Sequence, residues 1–130
     1  LYARASVGPR DPVIVIGGRA GDFLGEYMAG GIIILLGMQG EYRNGQPIAG
    51  NFLGTGMHGG AIYTRGPVEA HSLGKGLGIK EACAQDIKAI KPFLEEFGRQ
   101  FGTDLDEILA EQFYCIYPKT HRPYGNMYAY

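Results

Sequence analysis

The sequence predicts a mainly β protein, a parallel β-helix (solenoid) followed by a C-terminal α-helical segment. The first observation behind this is a repeat. Gly21-Asp-Phe-Leu-Gly25-Glu-Tyr-Met28-Ala-Gly30-Gly31 returns as Gly50-Asn-Phe-Leu-Gly54-Thr-Gly-Met57-His-Gly59-Gly60, identical at seven of eleven positions and offset by 29 residues. The second is that each copy runs into a short β-branched stretch, Ile32 to Leu36 and Ala61 to Thr64. Glycines at fixed offsets before a short strand, used twice, are the pattern of stacked repeat units. The third is composition: 22 of 130 residues are glycine, well above the usual ~7%, and most lie between Gly17 and Gly78. The last third reads like ordinary helical protein.

The elements follow in order. Leu1 to Pro12 carries Gly8-Pro9 and Asp11-Pro12 and reads as an extended lead-in. Val13 to Ile16 is a strand by its β-branched content. The repeats come next, and Gln39 to Pro47, polar and containing Asn44-Gly45, reads as a surface loop let out of one unit. The repeat glycines Gly21, Gly25, Gly30, Gly31, Gly50, Gly54, Gly59 and Gly60 are the structural residues. Some corners of such a unit need φ > 0, which glycine adopts without steric cost, and stacked units approach to about 4.8 Å, leaving no room for a side chain. Phe23 with Phe52, Leu24 with Leu53, and Met28 with Met57 are the expected inward pairs.

Residues 1–78 form the glycine-rich part and 79–130 a helical cap with an extended tail, together one structural domain. Pro67 to Gly78 reads as an irregular connector. From Ile79 to Phe101 apolar residues recur at helical spacing, with Ile87, Ile90, Leu94, Phe97 and Phe101 on one face. Pro92 predicts a break or kink. Thr103 with an acid three residues on predicts a second helix from about Asp104 to Phe113, with Leu105, Ile108, Leu109 and Phe113 aligned. Tyr114 to Tyr117 is a final strand. The tail from Lys119 to Tyr130 holds three tyrosines suited to docking on a partner or another copy.

Charge and motifs point away from a catalytic centre. A net charge of -1 gives no reason to propose nucleic acid or a membrane surface as partner, and the apolar run at Ile32 stops at Gly37, far short of a membrane span. Cys83 and Cys115 lack metal-site or disulfide-scaffold spacing and read as a reduced, cytoplasmic pair. The chain opens at Leu1 without methionine, which reads as a trimmed or mature fragment. Val13 to Gly21 looks like the start of a dinucleotide-binding unit. However, Arg19 stands where the second fingerprint glycine belongs, Gly25, Gly30 and Gly31 disfavour the helix that should follow, and the glycines recur as part of a repeat. His58, His71 and His121 have no metal-ligand spacing. Asp22 and Glu26 become Asn51 and Thr55 in the second copy, which removes a general acid and base pair, and Ser72 and Cys115 have no evident base. The expectation is therefore no catalytic, cofactor-binding or metal-binding residue on this chain.

These residues carry a resemblance. Gly21 to Gly37 and Gly50 to Tyr63, with Glu26-Tyr27-Met28 before Gly30-Gly31 and Gly56-Met57 before Gly59-Gly60, resemble the GXGXG domain, the C-terminal right-handed β-helix of the glutamate synthase large subunit. The later helices and Phe113-Tyr-Cys-Ile-Tyr-Pro118 resemble that domain's ending, so the likeness runs from about Pro12 to Pro118. It implies a right-handed parallel β-helix that acts as a spacer between a glutamine amidotransferase part and an FMN and iron-sulfur synthase part. Free-standing relatives imply a subunit assembled with separate glutaminase-type and FMN-type chains, and the exposed ends of so few stacked units predict self-association into a homo-oligomer or a partner across the end nearest Val13, with the helices covering the other. The repeat also resembles the β-helical accessory subunit of formylmethanofuran dehydrogenase, a molybdenum or tungsten enzyme. A flavin- or nucleotide-binding module built on Gly17 to Gly21 stays open as a third reading. Departures from the glutamate synthase pattern are the 39–47 insertion, the Tyr-rich tail and the few units ahead of Pro12.

Overall fold

The computed structural model describes residues 12–18, 20–22, 24–38 and 48–119. Most of the lead-in, the 39–47 loop, nearly all of the tail, Arg19, Phe23 and His121 lie outside the described residues.

Five strands form one open mixed sheet in the order β1-β2-β3-β5-β4. They are β1 (Val13–Ile16), β2 (Ile32–Leu35), β3 (Ala61–Arg65), β4 (Leu77–Glu81) and β5 (Phe113–Pro118). β1, β2 and β3 are parallel, with Val13 opposite Ile32 and Ile32 opposite Ala61. β5 then pairs antiparallel with both β3 and β4, placing Ile116 opposite Ile62 and Ile79. One main helix, α1 (Ala84–Phe101), and a single turn, α2 (Leu105–Ile108), complete the described elements. This overturns the expected β-helix: among the described residues no solenoid forms. The mainly β expectation is consistent with the sheet. The parallel run stops after three strands because the chain that follows β3 returns as an antiparallel hairpin-like pair, β4 and β5, which occupies the outer edge of β3 and ends any further parallel addition there.

Each face of the sheet buries a separate core. On one side Ile34, Ala61, Tyr63, Phe113 and Cys115 pack against Ile90, Leu94 and Phe97 of α1 and Ile108 of α2. On the other, Ile33, Leu35, Ile62, Leu77 and Ile116 pack against Ile48, Leu53 and Met57 of the repeat segment. Alternation along each strand makes this division, and coverage of both faces explains why Ile32-Ile-Ile-Leu35 is apolar without a break. Of the expected inward pairs, Leu24 with Leu53 and Met28 with Met57 join this second core. Phe52 does not: it is 53% exposed at φ 61, because a left-handed corner turns its side chain outward.

Three other expectations are corrected. Leu77–Glu81 is a strand, where the sequence predicts the end of the connector and the start of the helical spacing. Leu77 and Ile79 point to the second core while β5 supplies the backbone partners. α1 runs unbroken through Pro92. Pro92 is exposed, so the hydrogen bond it removes lies on the solvent side, while Ile90, Leu94 and Phe97 hold the buried side to the sheet. α2 is one turn only and Phe113 already belongs to β5; Arg65 caps the turn, its Nε and Nη2 donating to the carbonyls of Ile108 and Glu107 at 2.9 and 3.0 Å.

Candidate functional site

The two repeat copies lie side by side, backbone on backbone. The amides of Gly50, Gly54 and His58 in the second copy donate to the carbonyls of Gly21, Leu24 and Met28 in the first, at 3.2, 2.7 and 2.9 Å, and Ala61 continues the row to Gly31 at 3.1 Å. In return Tyr27 donates to the Thr55 carbonyl at 2.8 Å. The Asp22 carboxylate accepts the Asn51 amide at 2.8 Å, so the aspartate of one copy caps the turn of the next.

The eight repeat glycines fall into two groups by geometry. Gly25, Gly31, Gly54 and Gly60 have φ of +74, +83, +73 and +80°, the same corners in both copies, where a Cβ would be strained. The other four have no such requirement, and for two of them the reason is proximity. A Cβ on Gly59 would run into the Ala29 carbonyl, and one on Gly50 would stand 2.8 Å from the Asp22 amide nitrogen. Their counterparts Gly30 and Gly21 have nothing within 4 Å among the described residues.

A second polar feature joins α1 to the sheet. Asp86 is buried at 2% exposure. It accepts from the Tyr63 hydroxyl of β3 at 3.1 Å, from Lys80 Nζ of β4 at 3.0 Å, and from the Cys83 amide at 2.9 Å, where Cys83 and Asp86 form the capping box of α1. Burial alone would raise the Asp86 carboxyl, but the Cys83 amide and the Lys80 ammonium together outweigh it and hold it below its ordinary 3.8. Cys115 on β5 lies in the same buried neighbourhood. Burial, with the Asp86 charge adding to it, pushes its thiol up to about 12. Such a thiol stays protonated and is a poor nucleophile. The motifs singled out along the sequence do not include this cluster. The Cys83-x-x-Asp86 spacing ahead of the helical run was the available signal, since a residue three positions into a helix is where a capping-box acid sits.

The remaining candidates are scattered. His58 and His71 are exposed, His58 Nδ1 lying 3.2 Å from the Gly56 carbonyl and His71 Nδ1 3.9 Å from the Glu69 carboxylate. Asp22 and Glu26 are exposed on the first turn, and Ser72 is buried at the foot of the second repeat. Among the described residues no three His, Cys, Asp or Glu side chains gather as a metal site would require, and no helix is long and apolar enough to cross a membrane. Between β1 and β2 the described residues form turns, where a dinucleotide-binding unit has a helix. An open hollow of about 500 Å³ lies beside Cys83, lined by Ile87, Leu109, Gln112 and Phe113 among others.

The arrangement holds backbone against backbone across the two copies and anchors α1 to the sheet through the buried Asp86. Comparison with known proteins gives the family. The chain belongs to the GXGXG motif family, whose model matches residues 2–121 and which is the domain found in the glutamate synthase large subunit. It is also similar to an uncharacterized protein of Methanocaldococcus jannaschii, 46% identical over 120 residues, a match covering 90% of this chain and 46% of that protein. The chain thus spans less than half the length of this relative.

Proposed function

We propose that this chain is a non-catalytic structural domain or subunit of a glutamate-synthase-like system, holding a glutaminase-type part and an FMN and iron-sulfur synthase-type part at a fixed separation. The observation that carries the reading is family membership across residues 2–121. The geometry supports it. The repeat residues with a clear structural demand spend their chemistry on corners and backbone approach, and the buried charged cluster at Asp86 ties secondary structure together.

The mechanism is positional. A stiff element that fixes two active sites relative to one another lets ammonia released at one reach the other before it escapes to solvent, which is an effective-concentration effect and needs no reactive group on the spacer. Partial reactions test this. With the assembled chains, glutamine hydrolysis and ammonia-dependent glutamate formation should each survive removal of this chain, while glutamine-dependent glutamate formation falls. If hydrolysis or ammonia-dependent synthesis is itself abolished while the other chains stay folded, this chain has a chemical role and the proposal is wrong.

A further inference from the structure

The row of glycine turns goes one step beyond the two copies that the sequence announces. Leu24-Gly-Glu-Tyr-Met28 of the first copy and Leu53-Gly-Thr-Gly-Met57 of the second are followed by Leu73-Gly-Lys-Gly-Leu77 in the connector. So short a likeness is weak by itself, but the geometry repeats with it. The Gly54 amide donates to the Leu24 carbonyl at 2.7 Å, and the Gly74 amide donates to the Leu53 carbonyl at 2.7 Å, the same donor on the same acceptor one step on. The fourth residue stands in the left-handed region each time, Tyr27 at φ 58°, Gly56 at 73° and Gly76 at 82°. Leu24, Leu53 and Leu73 meet in the second core, with Met28, Met57 and Leu77. Gly74 also repeats the reason for Gly50 and Gly59. Its φ is ordinary, and a Cβ there would stand 2.7 Å from Thr55 Cα and 2.8 Å from the Thr55 amide nitrogen.

One part of the repeat is missing. Each full copy ends in a glycine pair, Gly30-Gly31 and Gly59-Gly60, and at Gly31 and Gly60 the chain turns at positive φ into β2 and β3. No such pair follows Leu77, which itself opens β4. The corner that would lay a fourth parallel strand on β3 is therefore absent, and that edge of β3 goes to β5. The helices, expected over this end of the row, pack α1 on the opposite face of the sheet.

We propose that residues 72–77 are a truncated third turn that the chain folds onto its own second copy as a cover. It is an autoinhibitory contact, which closes this side of the row to any other polypeptide, a second copy of this chain included. The backbone groups an incoming turn would need at Leu53 are already spent. Leu53 donates to the Ser72 carbonyl at 2.8 Å and accepts from Gly74, and Leu53 and Leu73 pair as a parallel bridge. Glu69, His71 and Lys75, on and beside the cover, are exposed, and a polar outer face is what a terminal repeat needs if stacking is to stop there. Whatever the chain holds in place is then attached at another surface.

The test is residue-resolved amide hydrogen exchange on the whole 130-residue chain and its single-residue variants. Leu53 and Gly74, the two donors of the seat, should exchange slowly in the unsubstituted chain. Gly74→Ala sets a Cβ against the Thr55 backbone, and Leu73→Ala removes the apolar anchor without a collision. Each should speed both amides at least about tenfold while Ile90 and Leu94 of α1 keep their rates. Leu73→Ala carries the test if Gly74→Ala does not fold. Lys75→Ala, at an exposed position, should change neither amide. A labelled synthetic peptide of residues 70–78 should show no saturable binding to the unsubstituted chain up to about 1 mM. The proposal is overturned if Leu53 and Gly74 exchange at unprotected rates in the unsubstituted chain, or if the alanine variants leave those rates unchanged. Acceleration of α1 to the same extent also overturns it, since the segment would then be part of the main core and not a cover. So does saturable binding of the peptide, because the seat would be open.

Discussion

Replacing Gly54 with valine puts the structural role of the repeat glycines to a quantitative test. Gly54 is buried at φ +73°, and its amide makes the 2.7 Å bond to Leu24 that joins the two copies. A β-branched residue in the left-handed region costs about 1–2 kcal/mol. Its Cβ would also stand 2.5 Å from Leu77 Cδ1 and 3.4 Å from Met57 Sδ. Leu77 and Met57 both belong to the closed second core, so neither can swing into solvent, and overpacking of this kind adds about 1–3 kcal/mol. The expected total is about 2–5 kcal/mol, which for a domain of this size is a fall in melting temperature of roughly 6–25 °C. Urea unfolding followed by far-UV circular dichroism measures it, with the slope unchanged. Gly21→Ala is the control. With nothing within 4 Å among the described residues and ordinary φ, it should leave stability unchanged or raise it by up to about 1 kcal/mol, through the freedom the unfolded chain loses. A Gly54→Val protein within about 1 kcal/mol of the unsubstituted chain would refute the reasoning, since both costs would then be absent.

Two further predictions concern the polar anchor of α1. Asp86→Ala should cost about 3–4 kcal/mol, because it leaves Lys80 and Tyr63 facing a buried gap and removes the capping box. The sign of the pH dependence follows from the Asp86 carboxyl, which lies below 3.8 when folded. Its contribution is therefore complete above that value and is lost as pH falls through the lower folded one, so the stability gap between the two proteins should narrow below about pH 4; a gap that widens on acidification contradicts the assignment. The cysteines should separate cleanly with a thiol-specific reagent at about pH 8. Cys83 is exposed and Cys115 is buried with its thiol pushed up to about 12, so one equivalent reacts in the native protein and a second only in denaturant. Two fast equivalents without denaturant would mean that the core around Cys115 is open.

The parts of this fold written in local patterns were legible in the sequence. Val13–Ile16 falls where its β-branched run puts it, and β2 and β3 follow the two repeats, because strand content and glycine spacing are local signals. The pairing of the copies was legible too, since identical glycines must meet identical corners. The parts set by tertiary partners were not. Leu77–Glu81 carries Gly78 and sits beside a helical period, and it is a strand because β5 needs a second edge and the Tyr117 ring lies across Gly78. Phe113 continues the helical spacing of Ile108 and Leu109, yet the register opposite Arg65 draws it into β5. The same limit explains the fold class. Repeated glycine turns announce stacked units, but how many stack, and what terminates them, depends on β4 and β5, whose antiparallel return has no counterpart in the repeat. At the buried cluster, Asp86, Lys80, Tyr63 and Cys115 come from four elements, so only the Cys83 and Asp86 spacing was visible along the chain.

The most direct test of the central claim is native mass spectrometry of the full-length protein isolated under gentle conditions from its own cells. The account predicts a complex in which this polypeptide is bound with a glutaminase-type chain and an FMN-containing chain, or is continuous with them. A homo-oligomer alone, or a complex with a pterin-dependent catalytic chain, would contradict it.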